Sequence, residues 1–238
     1  MKAGLVLAML ATVVALVQPA WAQKPERKPP TILLVGASGM IGSRILAEAT
    51  SRGHYVLAAS RHPEKIAAGP NVHPVKLDAS DAKAFSAEAR HADVIVVATS
   101  PRGGGDPLKE AKAVSDAAIE TARVTHKRLL VVGGAGSLNL PDGRPVVDTL
   151  PPAYQGEARA MRAVLEQLEH TTDVDWTFFS PAFSISPGTH TGKYRVGTTV
   201  MLSDADGKSR ISAEDYADAL VKELEKPEHS HGQMTVAY

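Results

Sequence analysis

The chain contains no cysteine among its 238 residues. That excludes disulfides, thiolate nucleophiles and cysteine-ligated metals, and it suits an oxidising compartment. It has no net charge, with 26 lysines and arginines against 26 aspartates and glutamates. The balance leaves no basic stripe and no electrostatic reason to expect a nucleic-acid partner. Aromatic residues are few, at 5%. The nine histidines show no ligand spacing, so no metal is assigned. Asp204-x-Asp206-Gly207 fails as a calcium loop, because glycine falls at the fourth position and Lys208 at a ligand position; a surface turn is expected there.

There is also no apolar run long enough for a comfortable membrane span. The longest, Ala3 to Val17, has 15 residues. Lys2 precedes it, and Ala20-Trp21-Ala22 follows with the small-x-small pattern of a signal-peptidase site. Residues 1–22 are therefore expected to be a Sec-type signal peptide cut after Ala22, which makes the protein periplasmic or secreted. An uncleaved membrane anchor is the alternative. Residues 23–30, with Pro29-Pro30, are expected to be a linker, and residues 31–238 one domain.

What is present is a glycine-punctuated turn. Ile32 to Val35 is an apolar run that stops at Gly36. Gly39 and Gly42 follow at three-residue spacing, and an amphipathic helix pattern then opens through Ile41, Ile45, Leu46 and Ala49. A strand, a glycine turn and a helix N-terminus make a seat for a pyrophosphate. The backbone can approach the phosphate oxygens, and free N–H groups with the helix dipole favour negative charge. Ser38, Met40 and Ile41 complete this candidate cofactor segment.

Strand and helix patterns then alternate. Strands are expected at 55–59, 72–77, 94–98, 129–132 and 176–180, with helices around 108–118, 154–168 and 212–224. This alternation predicts an α/β fold with a doubly wound parallel sheet, the Rossmann fold. Residues 181–211, rich in small and turn-forming types, are expected to form a small substrate-side lobe over the C-terminal edge of the sheet. Ser212 and Asp215 are expected to act as a capping pair.

Candidate cofactor residues follow from strand ends. An NAD enzyme usually carries an acidic residue after the second strand, to hold the ribose hydroxyls. Here the sequence is Ala59-Ser60-Arg61-His62, so Ser60 and Arg61 are expected to receive a 2′-phosphate, favouring NADP with NAD possible. Asp78 follows the third strand as an adenine contact or a helix cap. Ala98, Thr99 and Ser100 close the fourth strand, and Arg102 to Gly105 is expected to be a mobile loop at the pocket mouth. Gly133 begins Gly133-Gly-Ala-Gly-Ser137, where ordinary short-chain dehydrogenases carry a serine. Tyr154 starts a helix where those enzymes carry Tyr-x-x-x-Lys, but the fourth residue on is Ala158. The lysine that lowers the tyrosine pKa is missing. Ser137 and Tyr154 are thus weak catalytic candidates.

These stretches, with Asp175-Trp-Thr-Phe-Phe-Ser-Pro181 and Asp204 to Tyr216, resemble the atypical short-chain dehydrogenase/reductase family. The likeness is to its NAD(P)H-binding and NADH-flavin reductase group, with biliverdin reductase B-like and NmrA-like neighbours. The resemblance covers nearly all of residues 31–238. It implies cofactor contacts at the glycine turn, at Ser60 and Arg61 and around Thr99, and it places Pro181 to Phe183 beside the nicotinamide. Three functions stay open at this point. One is an NADPH-dependent reductase of a flavin, quinone or similar planar acceptor. Another is a non-catalytic, redox-sensing NADP(H)-binding module. The last is a sugar-nucleotide epimerase, although those enzymes keep Tyr-x-x-x-Lys and run longer. A homodimer is common in the superfamily.

Overall fold

A computed structural model describes residues 28–238; the expected signal peptide lies outside the described residues. The elements run β1 (Ile32–Val35), α1 (Met40–Ser51), β2 (Val56–Ser60), β3 (Val72–Lys76), α2 (Ala82–Ala89), β4 (Val94–Val97) and α3 (Pro107–Thr125). They continue with β5 (Arg128–Val132), α4 (Pro152–Glu169), β6 (Trp176–Ser180), β7 (Ser184–Ser186), β8 (Arg195–Gly197), β9 (Arg210–Ser212), α5 (Ala213–Glu225) and β10 (Gly232–Ala237). Eight strands form one sheet in the order β3-β2-β1-β4-β5-β6-β10-β8, parallel except for β8. This is the doubly wound α/β arrangement. The chain steps outward from β1 to β3, then returns to β4 on the other side of β1. That reversal opens a crevice at the carboxyl ends of β1 and β4.

The central strands are apolar throughout because both faces are covered. On one face Leu33, Val35, Ile95, Val97, Leu129 and Phe178 pack beneath α2, α3 and α4. On the other, Ile32, Leu34, Val96, Leu130, Phe179 and Val236 pack beneath α1 and α5. β3 tolerates Pro74 because it is the sheet's edge.

Two elements depart from the sequence reading. α2 was not anticipated; it is short, and its Asp81 cap accepts from the Lys83 and Ala84 amides. No strand was expected after 224, yet β10 is buried from Gln233 to Ala237 between β6 and β8. The capping pair is half formed. Ser212 Oγ accepts from the Asp215 amide at 3.0 Å, while the Ser212 amide donates to the Tyr238 hydroxyl at 3.1 Å. The Asp215 carboxylate turns outward to residues 191 and 192. Asp204 forms the expected surface turn, accepting from the Asp206 and Lys208 amides.

Several buried carboxylates hold α5 in place. Burial pushes the carboxyls of Asp215, Asp218 and Glu223 up, but hydrogen bonds to each outweigh it and hold them below the ordinary carboxylate range. The donors are Thr191 and Gly192 for Asp215, Lys222 and Tyr194 for Asp218, and His229 and Arg128 for Glu223. The unfolded chain therefore binds more protons than the native one in acid. Stability from these groups is present above about pH 4 and is lost as pH falls through their depressed native values. Urea unfolding followed from pH 7 to pH 3 is expected to show a flat neutral plateau and a steep acid limb. Glu223→Gln should flatten that limb, and an unchanged limb would refute its assignment to this residue.

Candidate active site

The crevice is built around backbone. Gly36 has φ +86°, and a Cβ there would lie 2.4 Å from the Ala98 carbonyl oxygen. A Cβ on Gly42 would lie 2.1 Å from the Gly36 carbonyl oxygen, so α1 sits against the turn with no room for a side chain. Gly39 caps α1 and offers no side-chain acceptor, unlike Asp81, Asp106 and Ser212 on α2, α3 and α5. The first-turn amides of α1, beginning at Met40, Ile41 and Gly42, therefore have no capping side chain. Ser38, Gly39 and Met40 are exposed, while Ile41 is half-buried against the core. A turn that excludes Cβ atoms in front of an uncapped helix N-terminus fits a bound pyrophosphate.

A cavity of about 660 Å³ runs from this turn. Gly36, Ser38, Gly39, Ser60, Arg61, Asp78, Ala98, Thr99 and Ser100 all line it, so the structure brings most of the sequence-derived residues together. Ser38 and Ser60 share a hydroxyl–hydroxyl hydrogen bond of 2.8 Å, and Ser60 Oγ also accepts from the His62 amide. Arg61 is exposed at the rim. Asp78 accepts from the Ser80 amide and hydroxyl, at 3.0 and 2.7 Å. Those bonds, the amide first, hold its carboxyl below its usual value, and the positive field of Arg61 adds to them.

Gly133, Pro181 and Phe183 do not line this cavity. They stand at the carboxyl ends of β5 and β6. Gly133 packs so close to the Phe178 ring that a Cβ would approach it to 2.2 Å. Pro181 is buried and Phe183 is half exposed, its amide donating to Ser209 Oγ at 3.1 Å. The catalytic candidates are not brought together. Ser137 is 2% exposed and closed into a network with the Gly134 carbonyl, Ser180 Oγ and Gln233 Nε2. Tyr154 is 64% exposed on the outer surface of α4. Ala158 is buried against Gly136, where a Cβ on the glycine would come within 2.6 Å of the Ala158 methyl. The helix approaches the 135–137 turn through small residues, and the position of the expected lysine is filled by packing.

Sequence reasoning missed Glu110. Its carboxylate accepts from the amides of Gly103 and Gly105, at 2.9 and 2.8 Å, and Arg102 pairs with Glu157 at 2.9 Å. The glycine loop expected to be mobile is thus pinned to α3 and α4 at the cavity rim. Only the acidic residue one turn past the Asp106 cap hinted at this. Glu48, His190 and Asp218 also present ligand atoms within 4.8 Å of one another. The guanidinium of Arg52 already bonds both carboxylates there.

The packing at Ala158 yields a direct test. Ala158→Lys is expected to cost roughly 1–3 kcal/mol, because the longer side chain must force α4 away from Gly136. Chemical denaturation measures it; a neutral substitution would show that the position is open to a lysine.

Comparison with known proteins agrees with this geometry. A family model described as NAD(P)H-binding matches residues 36–227. A candidate exported protein from Burkholderia pseudomallei is 41% identical, with a TM-score of 0.79 over 88% of this chain and all of that one. A candidate epimerase from Bacteroides thetaiotaomicron is 36% identical, with a TM-score of 0.81 over 89% and 98%. A candidate NADH-flavin reductase from Streptococcus pneumoniae is 28% identical, with a TM-score of 0.72 over 87% and 99%. With the doubly wound sheet, the glycine cradle and a matching model over most of its length, the chain belongs to the NAD(P)H-binding family of Rossmann-fold proteins.

Proposed function

We propose that the protein is an exported, NADPH-dependent reductase that passes hydride to a flavin, a quinone or a similar planar acceptor. One observation supports this reading above the others: beside the glycine turn and its uncapped helix, Tyr154 lies exposed on α4 and Ala158, where a lysine would stand, is packed against Gly136. Reduction of a carbonyl needs a proton donor at the oxygen. Hydride transfer to a conjugated ring system does not require that dyad. The likeness to the streptococcal NADH-flavin reductase candidate supports the acceptor class. The likeness to the Burkholderia exported protein, with the apolar run Ala3 to Val17 and the small-x-small pattern ending at Ala22, supports export of a domain spanning residues 31–238.

In this reading the reduced nicotinamide supplies the hydride. Gly36, Gly39, Met40, Ile41 and Gly42 present backbone to the pyrophosphate. Ser38, Ser60 and Arg61 receive the 2′-phosphate, with Asp78 on the adenine side. Ala98, Thr99 and Ser100 flank the nicotinamide ribose. Gly133, Pro181 and Phe183 form the nicotinamide end, where the exposed Phe183 ring offers a flat face for an acceptor to stack upon.

NADPH oxidation by the purified protein is expected to depend on added FMN, riboflavin or a quinone. Tight NADPH binding with no consumption by any of them would move the assignment to a redox-sensing module. Arg61→Ala is expected to weaken NADPH binding on the order of tenfold or more while leaving NADH within about twofold, since a charge-assisted phosphate contact contributes about 1.5–3 kcal/mol. Equal losses for both cofactors, measured by fluorescence titration, would remove the 2′-phosphate role.

A further inference from the structure

The run Gly103-Gly104-Gly105 is built around one carboxylate. Glu110 Oε2 accepts from the Gly103 amide at 2.9 Å and Oε1 from the Gly105 amide at 2.8 Å, so each oxygen takes one donor. Between those donors Gly104 has φ +89°, in the left-handed region that favours glycine. A Cβ on Gly103 would lie 3.0 Å from both carboxylate oxygens, and a Cβ on Gly105 would lie 2.8 Å from Oε1. Each of the three glycines thus has its own reason to be there, and two of the reasons are Glu110. Amides flanking a left-handed residue form a small anion-binding concavity, which the protein's own carboxylate fills.

This clamp stands on the wall of the cavity that starts at the glycine turn. The Ala98 carbonyl lies directly against Gly36. From that contact the chain runs on through Ser100 and Pro101 to Gly103, all of which line the cavity together with Gly36, Gly39 and Ser60. Lys109 and Glu110, at the start of α3, line it as well. Residues 98–106 contain no strand or helix, so no ladder of backbone bonds holds this wall. Its other anchors are a bond from the Arg102 amide to the Ser100 carbonyl at 2.9 Å and the exposed Arg102–Glu157 pair. Exposed ion pairs contribute little, which leaves Glu110 as the main hold on the loop.

We propose that Glu110 is a positioning residue for the cofactor: its carboxylate fixes the 100–105 wall of the cavity before the dinucleotide arrives. The inference rests on the cavity being the cofactor site and is independent of which acceptor takes the hydride. A free triglycine tract would lose its backbone freedom when a cofactor bound against it, and that loss would be subtracted from the affinity. A wall already fixed by Glu110 spares the cofactor the loss. The wall is backbone, so it supports NADP⁺ and NAD⁺ alike, in contrast to Arg61 at the 2′-phosphate.

The test uses Glu110→Ala, Gly105→Ala and the double variant. Two quantities are read: hydrogen exchange of the amides of residues 103 and 105 without cofactor, and the Kd of NADP⁺ and of NAD⁺ by calorimetry. Glu110→Ala is expected to speed exchange and to weaken both cofactors on the order of tenfold. Gly105→Ala, whose methyl pushes the carboxylate off the loop, is expected to do the same alone and to add nothing in the Glu110→Ala background. It lies at an exposed position, so it decides the matter if Glu110→Ala does not fold. Unchanged exchange, unchanged affinity, additive losses in the double variant, or a loss confined to NADP⁺ would overturn the proposal. Wild-type protein that binds neither NADP⁺ nor NAD⁺ would overturn the cofactor-site reading itself, and this inference with it, before any variant is made.

Discussion

The close approach of α1 to the end of β1 is the constraint on which the rest of the site depends. The Ala98 carbonyl lies against Gly36, and the Gly36 carbonyl lies against Gly42, at distances that leave no space for a methyl group on either glycine. Because they meet, α1 aims its uncapped N-terminus at the crevice between β1 and β4. Because Gly36 takes a positive φ, the chain turns tightly enough for Ser38 to reach Ser60 at the end of β2. The tight turn, the hydroxyl pair and the direction of the helix dipole are consequences of these glycine contacts.

A second close approach settles what the site does not contain. α4 lies against the 135–137 turn through Ala158 and Gly136, and Ser137 is turned into a closed network with Ser180 and Gln233. Tyr154 stays on the solvent side of the same helix. The three positions that would form a proton-donating constellation are thus a buried structural serine, an exposed tyrosine and a packing alanine. What stands at the carboxyl ends of β5 and β6 is the buried Pro181 and the half-exposed Phe183 ring.

The 181–211 excursion is held differently from the sheet and α1. Glycine contacts and apolar packing place α1 and the sheet. The excursion from 181 to 211 contains short strands and turns, and it depends on polar anchors from outside itself. Glu214 and Asp215 of α5 illustrate this, accepting from the amides of Gly188, Thr191 and Gly192. Within the excursion, Arg195 donates to the Ser203 carbonyl and the β7–β9 pair ties its two ends together.

The sequence by itself determined the sheet's central strands, the glycine turn, the strand-end residues Ser60, Arg61, Asp78 and Thr99, and the absence of the lysine after Tyr154. These are local signals: apolar runs covered on both faces, glycines at fixed spacing, and residue types at strand ends. Tertiary structure decided the rest. β10 has no strong local pattern and becomes a strand because β6 and β8 offer it partners on both sides. Asp215 resembled half of a capping box. Its carboxylate instead serves Thr191 and Gly192, 24 and 23 residues away, and no spacing rule reaches that far. Glu110 pins the glycine loop for the same reason: hydrogen-bond demand from unpaired amides is met by whichever acceptor the fold brings near. Local periodicity is written along the chain, whereas the partners of loop amides are chosen only when distant segments pack.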